Sequence, residues 1–226
     1  MSEFSVLINQ LATGEADEKV EALKEIDSLP SLSTYYPYLV SELENEDSRV
    51  RFWCLDLLIK KLPFLLYTDS KNVIPVLIKK LTNNNHPIID RAIWALSITG
   101  ADSVNYLIEA IETTPSTDAK SVYIHALGKN TNVHLQAERV ITLFSHLLSG
   151  QDAEIRFSAM IAFMDLSPLR PWFDKKITGI DFKSIYREVT KVATEFKSNF
   201  NHYSDLYVKW ATMYLDLIER QEIDDY

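Results

Sequence analysis

Two distant stretches decide the fold: Asp47-Ser48-Arg49-Val50-Arg51-Phe52-Trp53-Cys54 and Asp152-Ala153-Glu154-Ile155-Arg156-Phe157-Ser158-Ala159. Both carry an Asp, a β-branched residue three positions later, an Arg at plus four and a small residue at plus seven. An Asp just ahead of an apolar-periodic run is a helix N-cap, because its carboxylate accepts free backbone amides and favours the positive end of the helix dipole. The Arg falls one turn inside the helix, where it can reach an Asp or a carbonyl of the next repeat. Asp47, Arg51, Asp152 and Arg156 are therefore expected to form a structural ladder rather than a binding site.

Weaker copies flank these two. Asn85-His86-Pro87 leads into Ala95-Leu96, Ser116 to Lys120 leads into Ala126-Leu127-Gly128, and Asp17 with Val20 is a decayed version. Apolar residues recur at helical spacing, as in Val50, Cys54, Leu57 and Leu58, or Ile89, Ile93 and Leu96. Ser33-Thr34, Asp102, Asp152, Asp181 and Ser204 stand where helices should start, and Gly14, Gly100, Gly128 and Gly150 where they should stop. Pro75 and Pro87 are expected in first turns, where a missing amide costs little. The spacing predicts helix pairs at 3–12 with 16–27, 34–45 with 48–61, 72–82 with 86–99, 102–112 with 117–128, 134–148 with 152–166, and 181–198 with 203–221. A unit of roughly 30 to 38 residues is the period of a solenoid, in which each short pair completes its core only by stacking on its neighbours.

The repeated stretch resembles the HEAT-repeat family, whose second helix opens Asp-x-x-Val-Arg and continues towards Ala-Leu-Gly. The resemblance covers residues 15–166. It implies an all-α fold, a right-handed α-α superhelix of about five to six HEAT-like helix pairs with an atypical C-terminal helical cap. Residues 1–166 are read as the solenoid and 167–226 as a cap continuous with it. Pro168 and Pro171 break the pattern there, and aromatics crowd the segment: Trp172, Phe173, Phe182, Tyr186, Phe196 and Phe200 among them. Most are expected to be core.

Composition agrees with a folded chain: 46% apolar, 24% charged, and only 5 Gly and 8 Pro in 226 residues. A single Cys54 excludes an internal disulfide framework and a paired-thiolate zinc site. No apolar run approaches a membrane helix, and Met1-Ser2-Glu3 lacks the basic flank of a signal peptide, so a cytoplasmic protein is expected. Net charge is −9, and residues 1–48 hold eleven acids against two bases. That end should repel nucleic acid and anionic membrane and attract a basic protein partner.

Catalytic signatures are absent. Gly128-Lys129-Asn130 lacks the rest of a phosphate loop, and no two of the five His lie three or four residues apart. Cys54 takes the small-residue slot of its repeat and is expected to be buried and inert. No catalytic residue, metal or cofactor is assigned, and no enzyme activity is expected. The resemblance implies that second helices line the binding side. It offers Trp53, Asp56 and Lys60 on one helix and Asp90, Arg91, Trp94 and Ser97 on the next. With the acidic block Glu42, Glu44, Glu46 and Asp47, these are the candidate partner-binding residues. The reading that follows is a non-enzymatic protein-binding module and monomer, in its most concrete form an acidic inhibitor or immunity-type protein that neutralises a basic partner such as a toxin. The alternatives are a HEAT-like DNA glycosylase, a bilin-lyase type of enzyme, or a generic assembly adaptor.

Overall fold

The Asp47 and Asp152 caps read from the sequence are in place. In the computed structural model, Asp47 accepts the Arg49 amide at 2.7 Å and Asp152 accepts those of Glu154 and Ile155 at 3.0 and 3.1 Å. The structure describes residues 3–166 and 180–197, with Lys209, Thr212, Met213 and Asp216 beyond them. No strand occurs among these residues. The chain is an all-α solenoid, and it divides into two compact units, Met1–Tyr106 and Leu107–Tyr226.

The first unit opens with α1 (Glu3–Thr13) and α2 (Ala16–Ser28). A 3-10 turn (Ser33–Tyr35), α3 (Tyr36–Ser41) and a second 3-10 turn (Glu42–Glu44) follow, and α4 (Ser48–Lys61) completes that pair. Then come α5 (Pro63–Thr68), α6 (Ser70–Lys80) and α7 (His86–Ile98), while α8 (Asp102–Thr113) runs across the boundary. The second unit holds α9 (Thr117–Lys129), a 3-10 stretch (Thr131–Gln136), α10 (Ala137–Leu148), α11 (Ala153–Asp165) and α12 (Phe182–Lys197). The helix expected at 203–221, Ser204, and the Pro168–Phe173 stretch lie outside the described residues.

Several local expectations need correction. The helix expected at 34–45 is a six-residue α-helix between two 3-10 turns. An additional helix, α5, starts at Pro63, whose fixed φ suits a first position. Pro75 sits inside α6 rather than in its first turn, because that helix begins at Ser70. Its ring is solvent-exposed, so the Lys71 carbonyl it leaves without an amide can be hydrated. Asp102 is the first residue of α8, where Ser103 bonds the Gly100 carbonyl through its hydroxyl at 2.7 Å. Gly100 does end α7, with φ +82°, the left-handed conformation glycine accepts without strain. Gly128 is the penultimate residue of α9, which stops at Lys129, and it is buried against Ala162 of α11 rather than held in a left-handed cap.

Each unit has an apolar interior built from the periodic stripes. Leu23, Val50, Leu58, Ile88 and Leu96 are fully enclosed in the first, and Leu107, Ile124, Phe144 and Met160 in the second. Burial of each such side chain stabilises by about 1.5–3 kcal/mol as an upper bound. Tyr186 and Phe196 of α12 are core as expected, with Tyr186 edge-on to Phe163 at 5.2 Å.

Polar bonds stitch neighbouring helices together inside each unit. Arg49 of α4 reaches Asp17 of α2 at 2.8 Å, and Arg91 of α7 reaches Asp56 of α4 at 2.9 Å. In the second unit Thr117 donates to Asp152 at 3.2 Å, and Arg156 forks onto Glu195 of α12 at 2.6 and 2.8 Å. The expected ladder is thus half right. Arg156 does reach the following helix, whereas Arg51 turns back to the Asn45 and Glu46 carbonyls ahead of its own helix, at 2.6 and 2.7 Å.

Candidate partner-binding surface

On α4 the four-residue interval puts Phe52 and Asp56 on one face, and Lys60 follows one turn later. The three-residue interval puts Arg91 and Trp94 together on α7. Where these faces meet, Asp56 is only 8% exposed and gives one oxygen to Arg91 Nε at 2.9 Å and the other to Lys60 Nζ at 2.6 Å. The expectation of a surface Asp56 is corrected: two cations compensate a carboxylate that burial alone would expel. The Arg91 guanidinium lies over the Phe52 ring at 5.0 Å and over Trp94 at 5.8 Å. Cation–π contact and the single Nε bond fix its plane, and its side chain remains 28% exposed.

The structure therefore joins Asp56, Lys60, Arg91 and Trp94, four of the seven helix residues singled out from sequence. Trp94 is 49% exposed, which removes it from the core. Trp53 is half-buried, and Asp90 is exposed on α7. Phe52, the platform under Arg91, was missed. A signal for it existed, since Arg-Phe recurs at 51–52 and 156–157. Phe157 stacks on Phe196 at 4.5 Å, across the same interval of 39 residues that separates Phe52 from Arg91.

The acidic block is placed differently from its appearance in the chain. Glu42 pairs with Lys19 at 2.9 Å, both largely enclosed. Glu44 receives the buried Lys80 at 2.8 Å and Lys79 at 3.3 Å, and Lys80 first, then Lys79, hold its carboxyl below the usual range. Asp47 caps α4 and pairs with Arg49, whose hydrogen bonds pull its pKa down to about 2. Glu46 alone of the four is an exposed carboxylate without an ion pair among the described residues. Asp17, Glu21 and Asp27 are paired as well, with Arg49, Lys24 and Lys61.

Cys54 is fully buried, and burial first, then the Glu42 charge, pushes its thiol up, away from a reactive thiolate. In the second unit an open concavity of about 740 Å³ gathers His134, His146, Glu112, Glu138, Leu135 and Leu143. It brings together two imidazoles that the sequence keeps apart. Even so, no group of three His, Cys, Asp or Glu among the described residues is placed to hold a metal. No helix among them is long and apolar enough to cross a membrane.

No protein-family model matches the sequence, and no curated protein aligns with it significantly. Solved structures do match. A computationally designed armadillo repeat protein for modular peptide recognition superposes with a TM-score of 0.51 at 14% identity, covering 93% of this chain and 99% of its own. The archaeal HEAT-like repeats protein from Thermococcus onnurineus NA1 gives 0.50 at 12% identity, covering 97% of this chain and 98% of its own. The class is therefore the helical-repeat solenoid. More particularly, the fold is armadillo/HEAT-like, in agreement with the resemblance carried by Asp47–Cys54 and Asp152–Ala159.

Proposed function

We propose that the protein is a non-enzymatic protein-binding module that works as a monomer through the α4–α7 face of its first unit. The observation that carries this reading is the half-exposed Trp94, held beside a guanidinium that is itself fixed by Phe52 and the buried Asp56. A large, rigid aromatic next to an arginine on a preorganised surface is the composition of an interface hot spot. The designed armadillo protein it resembles in fold was made for peptide recognition, a use compatible with such a face.

The more specific inhibitor or immunity form draws support from the net charge of −9 and from Glu46. Pairing of Glu42, Glu44 and Asp47 with their own chain's cations leaves it little else, so the α4–α7 face is the better candidate. The test is capture from native lysate by tagged wild type, a Trp94→Ala variant, and a variant reversing Glu42, Glu44, Glu46 and Asp47. Trp94→Ala is expected to weaken capture about thirtyfold while circular dichroism stays unchanged. Capture lost only on charge reversal would return the acidic block to first place. Identical capture by all three proteins would remove both.

A further inference from the structure

The α4–α7 face carries an unspent recognition element. Only Nε of Arg91 is engaged by Asp56, and no hydrogen bond among the described residues involves its two terminal nitrogens. Those nitrogens form the end of the guanidinium fork, the geometry that accepts a carboxylate through two parallel bonds. Both Asp56 oxygens are occupied, by Arg91 and Lys60, so this cluster of two cations and one anion leaves one positive charge over. Lys60 is itself 53% exposed beside it, and Asp90 is the exposed acid next along α7.

We infer that this face takes a segment of a protein partner that offers an Asp or Glu carboxylate to Arg91 and an apolar side chain to Trp94. The inference rests on the binding-module reading above and gives its partner a local chemistry opposite to the one net charge suggests. Asp56 and the two rings are the positioning groups, since they fix the plane of the fork before the ligand arrives. Preorganisation of this sort spares the ordering cost that weakens flexible surface pairs.

The experiment is a phage-displayed random-peptide selection on the full chain, followed by binding measurements on the enriched peptides. Arg91→Lys serves as the variant, because it keeps a cation for Asp56 but lacks the fork. Peptides enriched in Asp or Glu next to an apolar residue are expected. Changing that acid to its amide should cost about tenfold in affinity on wild type and less than threefold on Arg91→Lys. Enrichment of Lys and Arg, with binding still lost in Trp94→Ala, would overturn the carboxylate assignment and leave the binding module standing. Equal losses on wild type and Arg91→Lys would also overturn it, since the acid would then be recognised elsewhere. A selection that enriches nothing would count against both readings.

Discussion

Replacing Gly128 by alanine sets two effects of known sign against each other. A Cβ built there would lie 2.7 Å from both Cα and Cβ of Ala162 and 3.0 Å from its carbonyl oxygen. Packed carbons sit at about 3.5–4.0 Å, so α9 and α11 would have to separate by roughly 1 Å. Gly128 is helical, and alanine would gain about 1 kcal/mol of helix propensity there. Overpacking costs about 1–3 kcal/mol, and the upper end applies because backbone atoms of Ala162 cannot rotate aside. The expected result is a net loss of about 1–2 kcal/mol, or about 2–8 °C in Tm for a chain of this size. Thermal and urea unfolding would be followed for wild type, both single variants and the Gly128→Ala, Ala162→Gly pair. The two changes should be non-additive, with the double variant more stable than the sum of the singles implies. A Gly128→Ala protein as stable as wild type, or strict additivity, would refute a close helix approach at this point.

Gly100→Ala forces a side chain into φ +82° and brings its Cβ within 3.0 Å of the Tyr67 ring. A loss of about 1–3 kcal/mol is expected, read as a lower urea midpoint. Glu195 is held below the usual carboxylate range by the Arg156 fork, so the pair contributes stability above the unfolded-state pKa and loses it as pH falls through the depressed one. Arg156→Gln should therefore be less stable than wild type at neutral pH, with the gap closing as pH falls below about 4; an undiminished gap in acid would exclude the pair as its cause. Cys54 should resist a thiol reagent in the native protein and react fully in denaturant, and rapid native labelling would contradict its burial.

What the sequence made legible was local. Asp47 and Asp152 announced their helices because a cap acts within three residues of itself, and those helices begin where expected. Helix α5 was missed because Leu62-Pro63-Phe64 reads as a break, while Pro63 serves as a first helical residue. Gly128 marks the end of α9 to within one residue, but the need for a glycine there comes from Ala162, on another helix. Asp56 looked like a surface acid for the same reason: its burial depends on Arg91, which is 35 residues further on. Trp94 was separable from core only once the neighbours of α7 were placed.

The charge pattern shows how far a linear reading can mislead about a surface. Residues 1–48 hold eleven acids and only two bases, Lys19 and Lys24, and bases become frequent from Arg49 onward. Stacking brings those bases back: Arg49 onto Asp17, Lys61 onto Asp27, and Lys79 with Lys80 onto Glu44. A repeat architecture makes this return natural, since residues one repeat apart become neighbours on adjacent helices. Segregated charge in the chain thus becomes paired charge between helices, and serves the stacking of the first unit. Meanwhile the cluster at Arg91 and Trp94, with two cations on one anion and an exposed aromatic, lies outside that acidic segment. Net charge can steer a partner's approach over a Debye length of about 8–10 Å. The contacts that keep it bound depend on which groups remain unpaired after folding. By that criterion the α4–α7 face is the surface we propose for recognition, while Glu42, Glu44 and Asp47 of the acidic block are already paired with cations of their own chain.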